Sequence, residues 1–151
     1  MNAAVNAFFL NLKLLSLYFL VVSLFSLCKR KMQKSSTTQR RFAVLIAARN
    51  EESCIAGLIE SLLAQNYPSE LFDIWVLPNN CTDHTADAAR HAGGKVLEMP
   101  TSIHSKGAAL QYAANTLLHG SRYYDAFCVF DADNEVDPAF LSKMNQALSR
   151  S

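Results

Sequence analysis

From Ala7 to Cys28, 17 of 22 positions are apolar, interrupted by Asn11, Lys13 and three serines. At about 1.5 Å per residue such a helix covers roughly 33 Å, enough for a hydrocarbon core of about 30 Å. The pattern predicts an N-terminal transmembrane anchor over residues 1–28. A cleaved leader would need positive charge ahead of the apolar run and small residues at its end. Met1–Asn6 is uncharged and Cys28 is followed by Lys29-Arg30-Lys31. That basic flank predicts a single-pass protein of the cell membrane with its C-terminal domain cytoplasmic. Residues 29–41 are polar and basic, and read as a juxtamembrane linker.

After residue 41 the pattern changes to short apolar runs alternating with helically spaced ones. Phe42–Ala47 reads as a strand buried on both faces. Ile55, Leu58, Ile59, Leu62 and Leu63 fall on one helical face, with Asn50 as the expected cap and Tyr67-Pro68 as the stop. Phe72–Leu77 is a second strand, followed by a short helix capped by Thr82 or Asp83 and closed by Gly93-Gly94. Lys95–Met99 is a third strand, and Ser105 to His119 a helix. Ala126–Phe130 is a fourth strand, with a last helix beginning at Asp137-Pro138. Four strand-helix alternations predict a doubly wound, parallel α/β sheet of order 3-2-1-4, with ligands at the C-terminal ends of the strands.

Composition sharpens this. The 151 residues carry a formal charge of +1, but residues 1–41 hold seven bases and no acid. Residues 42–151 hold all 13 acids against seven bases, a balance of −6 that argues against nucleic acid as a partner. The four cysteines form no CxxC pair, which excludes a zinc ribbon.

The chemistry then lies in the loops. Asp131-Ala132-Asp133 places two carboxylates at i and i+2 after a buried strand, an arrangement suited to a hard divalent cation carrying a diphosphate. Alone, such a pair is a weak signal, since carboxylates in loops are commonly solvated. Ala48-Arg49-Asn50-Glu51 and Asn79-Asn80-Cys81-Thr82-Asp83 alone read as polar turns and caps. Lys106-Gly107 opens a helix where a lysine and free N–H groups could meet phosphate, without being a Walker loop.

Taken together and in order, Ile46–Glu51, Asn79–Thr85, Lys106–Leu110 and Phe130–Asn134 resemble the donor-binding half of family-2 glycosyltransferases. The resemblance covers about residues 42–148. It implies a GT-A (Rossmann-like) fold, a nucleotide-diphosphate sugar as donor, Mg²⁺ or Mn²⁺, and inversion at the anomeric carbon. It places Ala48, Arg49, Asn50 and Glu51 against the nucleotide and Lys106 on the nucleotide side. Asp131 faces ribose or metal, and Asp133 is the metal ligand. Membrane-bound members that build polysaccharides or glycolipids share the anchor-plus-domain plan.

Two departures stand out. Asn79 occupies a position where members with A-D-N-C-T-D carry Asp, facing the base. An Asn can still accept from a uracil N–H, which keeps a UDP-sugar favoured, without charge assistance. The family's acidic general base and its Q-x-x-R-W-type segment find no match up to Ser151, so no catalytic base is named. The expectation is therefore the donor-binding half of an inverting, metal-dependent glycosyltransferase acting on a glycan or lipid acceptor. The alternative is a noncatalytic nucleotide-sugar-binding fragment.

Overall fold

The computed structural model describes residues 3–27 and 38–149. Contacts divide the chain into two compact units, Met1–Lys34 and Ser35–Ser151. Cys28 and residues 29–37 of the sequence-predicted linker lie outside the described residues.

In the first unit, helix α1 (Ala3–Leu27) is continuous over 25 residues. Its side chains are apolar around most of the circumference, and Phe8, Leu14, Tyr18 and Leu20 are all exposed. The predicted membrane span is not borne out: among the described residues no helix is long and apolar enough to cross a membrane. The helix carries Asn11 and Lys13 among its apolar side chains. The single-pass topology and the cytoplasmic assignment inferred from the span lose their basis with it.

The second unit is a parallel sheet with helices on both faces. Its elements are β1 (Phe42–Ala48), α2 (Ile55–Leu63), β2 (Phe72–Pro78), α3 (Thr85–His91), β3 (Lys95–Val96), α4 (Lys106–Leu118), β4 (Ala126–Asp131) and α5 (Phe140–Leu148). The strand order is β3-β2-β1-β4, as the alternation predicts, and every pairing is parallel. β1 is central. Its alternate residues divide between two cores, as the period of two in a strand requires. Phe42, Val44 and Ile46 pack with Ile55, Leu58, Ile59 and Leu62 of α2 and Leu141 of α5. Ala43 and Leu45 pack on the other face with Ala113 and Leu117 of α4 and Tyr124. Each fully buried Leu, Ile or Phe contributes about 1.5–3 kcal/mol. β4 pairs with β1 on one side only, and Val129 on it is exposed.

The helix ends differ in detail from the sequence reading. Asn50 does not cap α2. Cys54 stands at the N-cap without a side-chain bond, because Asn50 lies earlier in a left-handed turn with φ 59°. α5 begins at Phe140 after Ala139, so Pro138 precedes the helix instead of opening it. Asp137 Oδ1 still accepts from Ala139 N at 2.8 Å. β3 is only Lys95–Val96, since Glu98 is exposed and Pro100 ends extended pairing. Gly93 and Gly94 close α3 as expected. Gly93 has φ 95°, and Gly94 N donates to Ala89 O at 2.9 Å, the six-to-one bond of a Schellman end.

At the N-terminal end of β2, Asp73 is buried within a polar cluster. It accepts from Lys95 Nζ at 2.8 Å and from Tyr124 Oη at 2.6 Å. Arg122 Nε lies 3.0 Å away, at ion-pair distance but without hydrogen-bond alignment. Burial pushes the Asp73 carboxyl up, but hydrogen bonds from Lys95 and Tyr124 and the charges of Lys95 and Arg122 hold it below its ordinary value. A carboxyl depressed in the folded state stabilises above its unfolded value, near 3.9, and that contribution fades as pH falls through the folded value. We expect Asp73→Asn to cost about 1–3 kcal/mol at pH 7 and progressively less toward pH 3. Urea unfolding across that range measures it; a pH-independent difference would refute the charge assignment.

Candidate functional site

The parallel register brings three loops to one end of the sheet. Ala48 lies beside Pro78, and Ala47 beside Asp131. The loops after β1 and β2 are locked together. Asn50 Oδ1 accepts from Thr82 N at 2.8 Å, and Glu51 N donates to Thr85 Oγ1 at 2.9 Å. Glu52 N donates to Asp83 Oδ2 at 3.2 Å, and His84 N to Glu52 Oε2 at 3.1 Å. Thr85 is fully buried and its hydroxyl also donates to Asp83 Oδ1 at 2.5 Å. The hydrogen bond from Thr85 holds the Asp83 carboxyl below its ordinary value. Asn50 and Asn80 both have positive φ, at 59° and 54°. Asn tolerates this region better than other non-glycine residues, and such strain persists where surrounding bonds fix it.

The sequence-predicted site residues have different fates here. The Ala48 side chain is buried in the core, while its carbonyl accepts from Asn79 N at 3.0 Å. Arg49 is exposed. Glu51 Oε2 accepts from Cys54 Sγ at 3.1 Å. Burial, the Glu51 bond and the charges of Glu51 and Asp133 push the Cys54 thiol up to about 11, which leaves it protonated and unreactive at neutral pH. Asn79 is buried, with Oδ1 accepting from Asn80 Nδ2 at 2.8 Å. Lys106, at the start of α4 with Ser105 as its cap, forms an ion pair with Asp131 across the strand ends.

Asp131 and Asp133 are thus engaged differently. Asp131 faces Lys106, and Asp131 N donates to Asn134 Oδ1 at 3.0 Å. Asp133 is exposed and lines a cavity with Cys54, Gly57, Ser61 and Glu135, between α2 and the loop after β4. Among the described residues, no group of three or more His, Cys, Asp or Glu side chains is placed to hold a metal. Two carboxylates without a protein cage suit a Mg²⁺-like ion that arrives with phosphate oxygens, which complete its shell.

Thr85, Asn80 and Cys54 hold these loop residues through hydrogen bonds, although the sequence reading gave them no individual role. The signal for Thr85 lies in Asp83-His84-Thr85, where a short acceptor side chain sits two residues before a hydroxyl.

Residues 43–151 match the family model described as Glycosyl transferase family 2. The chain belongs to that family. A beta-monoglucosyldiacylglycerol synthase from Synechocystis sp. is 25% identical over 112 residues, covering 73% of this chain and 23% of that protein. The same-named enzyme from Nostoc sp. is 40% identical over 43 residues, 28% of this chain and 9% of that protein. The chain therefore spans between 9% and 23% of the length of these curated relatives. Among solved structures, a mannosyltransferase from Pyrobaculum calidifontis in complex with GDP-Man and Mn²⁺ superposes with TM-score 0.71 at 19% identity. It covers 88% of this chain and 39% of that one. Glucosyl-3-phosphoglycerate synthase from Mycobacterium tuberculosis, solved with Mn²⁺ and UDP, gives TM-score 0.52 at 24% identity, over 68% of this chain and 37% of that one. These likenesses show a shared GT-A-like α/β fold.

The lock between the first two family-2 loops is directly testable. Asn50→Gly keeps the left-handed turn and loses only the bonds to Thr82, costing under about 1 kcal/mol. Asn50→Ala loses the same bonds and adds about 1–2 kcal/mol of backbone strain. Equal stability of the two variants in urea unfolding would show that the turn does not need its positive φ.

Proposed function

We propose that residues 42–151 form the donor-binding half of an inverting, divalent-metal-dependent glycosyltransferase that takes a nucleotide-diphosphate sugar. The observation that carries this is the ion pair of Lys106 with Asp131 together with the locked loops after β1 and β2 at the C-terminal end of a parallel sheet, Asp133 following two residues on in the loop after β4. Family membership and the nucleotide-bearing neighbours support the same reading.

In this reading Asn50 and Glu51 shape the wall against the nucleotide, with Arg49 exposed beside them. Lys106 supplies a cation on the diphosphate side. Asp133, with Asp131, would hold Mg²⁺ or Mn²⁺, which when bound stabilises negative charge on the departing diphosphate. The reaction joins an acceptor hydroxyl oxygen to the anomeric carbon as the bond to the diphosphate oxygen breaks, with inversion. The hydroxyl proton needs a base, worth typically 10²–10⁴-fold, and no residue of 136–149 is assigned to that task. The described half therefore serves donor recognition. A lipid acceptor and a glucosyl donor are supported by the curated relatives, whose names specify a glucosyldiacylglycerol product.

Asp133→Asn removes the charge that attracts a divalent cation and preserves the side chain's shape. We expect it to abolish the Mn²⁺-dependent part of nucleoside-diphosphate binding, read by calorimetric titration of the full chain in detergent, with unchanged thermal unfolding. Unaltered Mn²⁺ dependence would remove Asp133 from the metal site.

A further inference from the structure

The loop after β4 carries the exposed Asp133 on a short stretch that is fixed on both sides. On one side Asn134 closes a turn on Asp131: Asn134 N donates to Asp131 O at 3.1 Å, and Asn134 Oδ1 accepts from Asp131 N at 3.0 Å. A backbone N–H only donates, so the Asn134 atom it meets is the amide oxygen. Ala132, between the two carboxylates, is buried in the core on the α2 side of the sheet. On the other side Val136 is buried, and its N–H donates to Ser61 Oγ at 3.2 Å, 75 residues back on α2. The Ser61 hydroxyl proton is committed to Leu58 O at 2.8 Å, which leaves its oxygen to accept. Gln65, just past the end of α2 and 7% exposed, continues the seam: Nε2 donates to Asp137 O at 2.8 Å and Oε1 accepts from Leu141 N at 3.0 Å. All of these bonds engage loop backbone, so they carry the Asp133 carboxylate without having it as a partner. Ser61 and Asn134 line the same cavity as Asp133, from its two walls.

We propose that Asn134 and Ser61 are positioning residues for a metal-bound diphosphate, setting the backbone of residues 131–136 before the ligand arrives so that Asp133 receives the cation without reordering of the loop. This rests on the donor-binding reading above and adds to it two residues that act through Asp133. Only Ala132 and Asp133 lie between Asp131 and Asn134, and only Glu135 between Asn134 and Val136, so slack at either pin reaches Asp133 directly. Ordering a mobile loop on binding draws its entropy cost from the affinity, and a loop already ordered in the empty protein avoids that cost. The Ser61 bond also gives the buried Val136 N–H the partner it needs, which is a folding role; the bond from Asn134 to the exposed Asp131 meets no such need.

Two measurements on the full 151-residue chain in detergent test this. Hydrogen exchange in the metal-free protein should find the Asp131 and Val136 amides protected, with Asn134→Ala releasing the first and Ser61→Ala the second. Calorimetric titration with UDP, in Mn²⁺ and in EDTA, reads the consequence. Each alanine variant should lower the Mn²⁺ enhancement of UDP binding about fivefold to tenfold, the scale of one lost hydrogen bond, and leave binding in EDTA unchanged. Asn134→Ser offers a shorter, weaker acceptor and should recover part of the enhancement without adding charge. A residue acting only in folding would lower thermal stability and weaken UDP binding alike with and without metal. An undiminished enhancement in either alanine variant removes that residue from the role. Freely exchanging Asp131 and Val136 amides in the wild type overturn the whole assignment, and both results leave the donor site intact. If Asn134→Ala does not fold, Asn134→Ser decides: an enhancement equal to the wild type's overturns the role of Asn134. Absence of any Mn²⁺ enhancement in the folded wild type overturns the metal-site reading and this assignment with it.

Discussion

Strand β1 is the constraint on which the rest of the sheet unit depends. It is paired on both edges, by β2 and β4, and covered on both faces, so every one of its side chains must be apolar and small enough to fit between two helix layers. Phe42-Ala43-Val44-Leu45-Ile46 satisfies this with Phe42, Val44 and Ile46 turned toward α2 and α5 and Ala43 and Leu45 toward α4. Burying both faces fixes register, because a slip by one residue would exchange the two cores. Register in turn decides that Ala48, Pro78 and Asp131 end together, and the cleft exists because they do.

Rigidity at that end comes from polar bonds. The first two loops hold each other through Asn50, Glu52, Asp83 and Thr85, with backbone N–H groups as donors in most of the bonds. Neither loop has regular structure of its own, and each supplies the partners that its neighbour's exposed backbone lacks. The buried hydroxyl of Thr85 joins both, donating to Asp83 and accepting from Glu51 N.

The strands, their order and the four helices of the sheet unit are legible in the sequence because they follow from apolar periodicity, and a parallel sheet leaves few topologies. The family is legible too, since four short segments in order are far more specific than any one of them. The bonding of Asn50 and Asn79 was not. A lone Asn before a helix reads as a cap, and only the neighbouring strand's loop turns it into a brace for Thr82. Asn79 accepts from Asn80, whose amide also reaches Ile103 O, 23 residues further along the chain, which no local pattern can connect. The apolar run at the N-terminus gave a helix, but periodicity and composition alone overstated what that helix can span.

The pair formed by Lys106 and Asp131 has a kinetic consequence. Both side chains are about half exposed, and an ion pair of that kind is worth only about 0–1 kcal/mol. Exposed side chains change rotamer in picoseconds to nanoseconds, far faster than a ligand at micromolar concentration arrives by diffusion. In the proposed donor-binding role, the lysine compensates the carboxylate while the cleft is empty, and breaking so exposed a pair does not slow the arrival of a ligand.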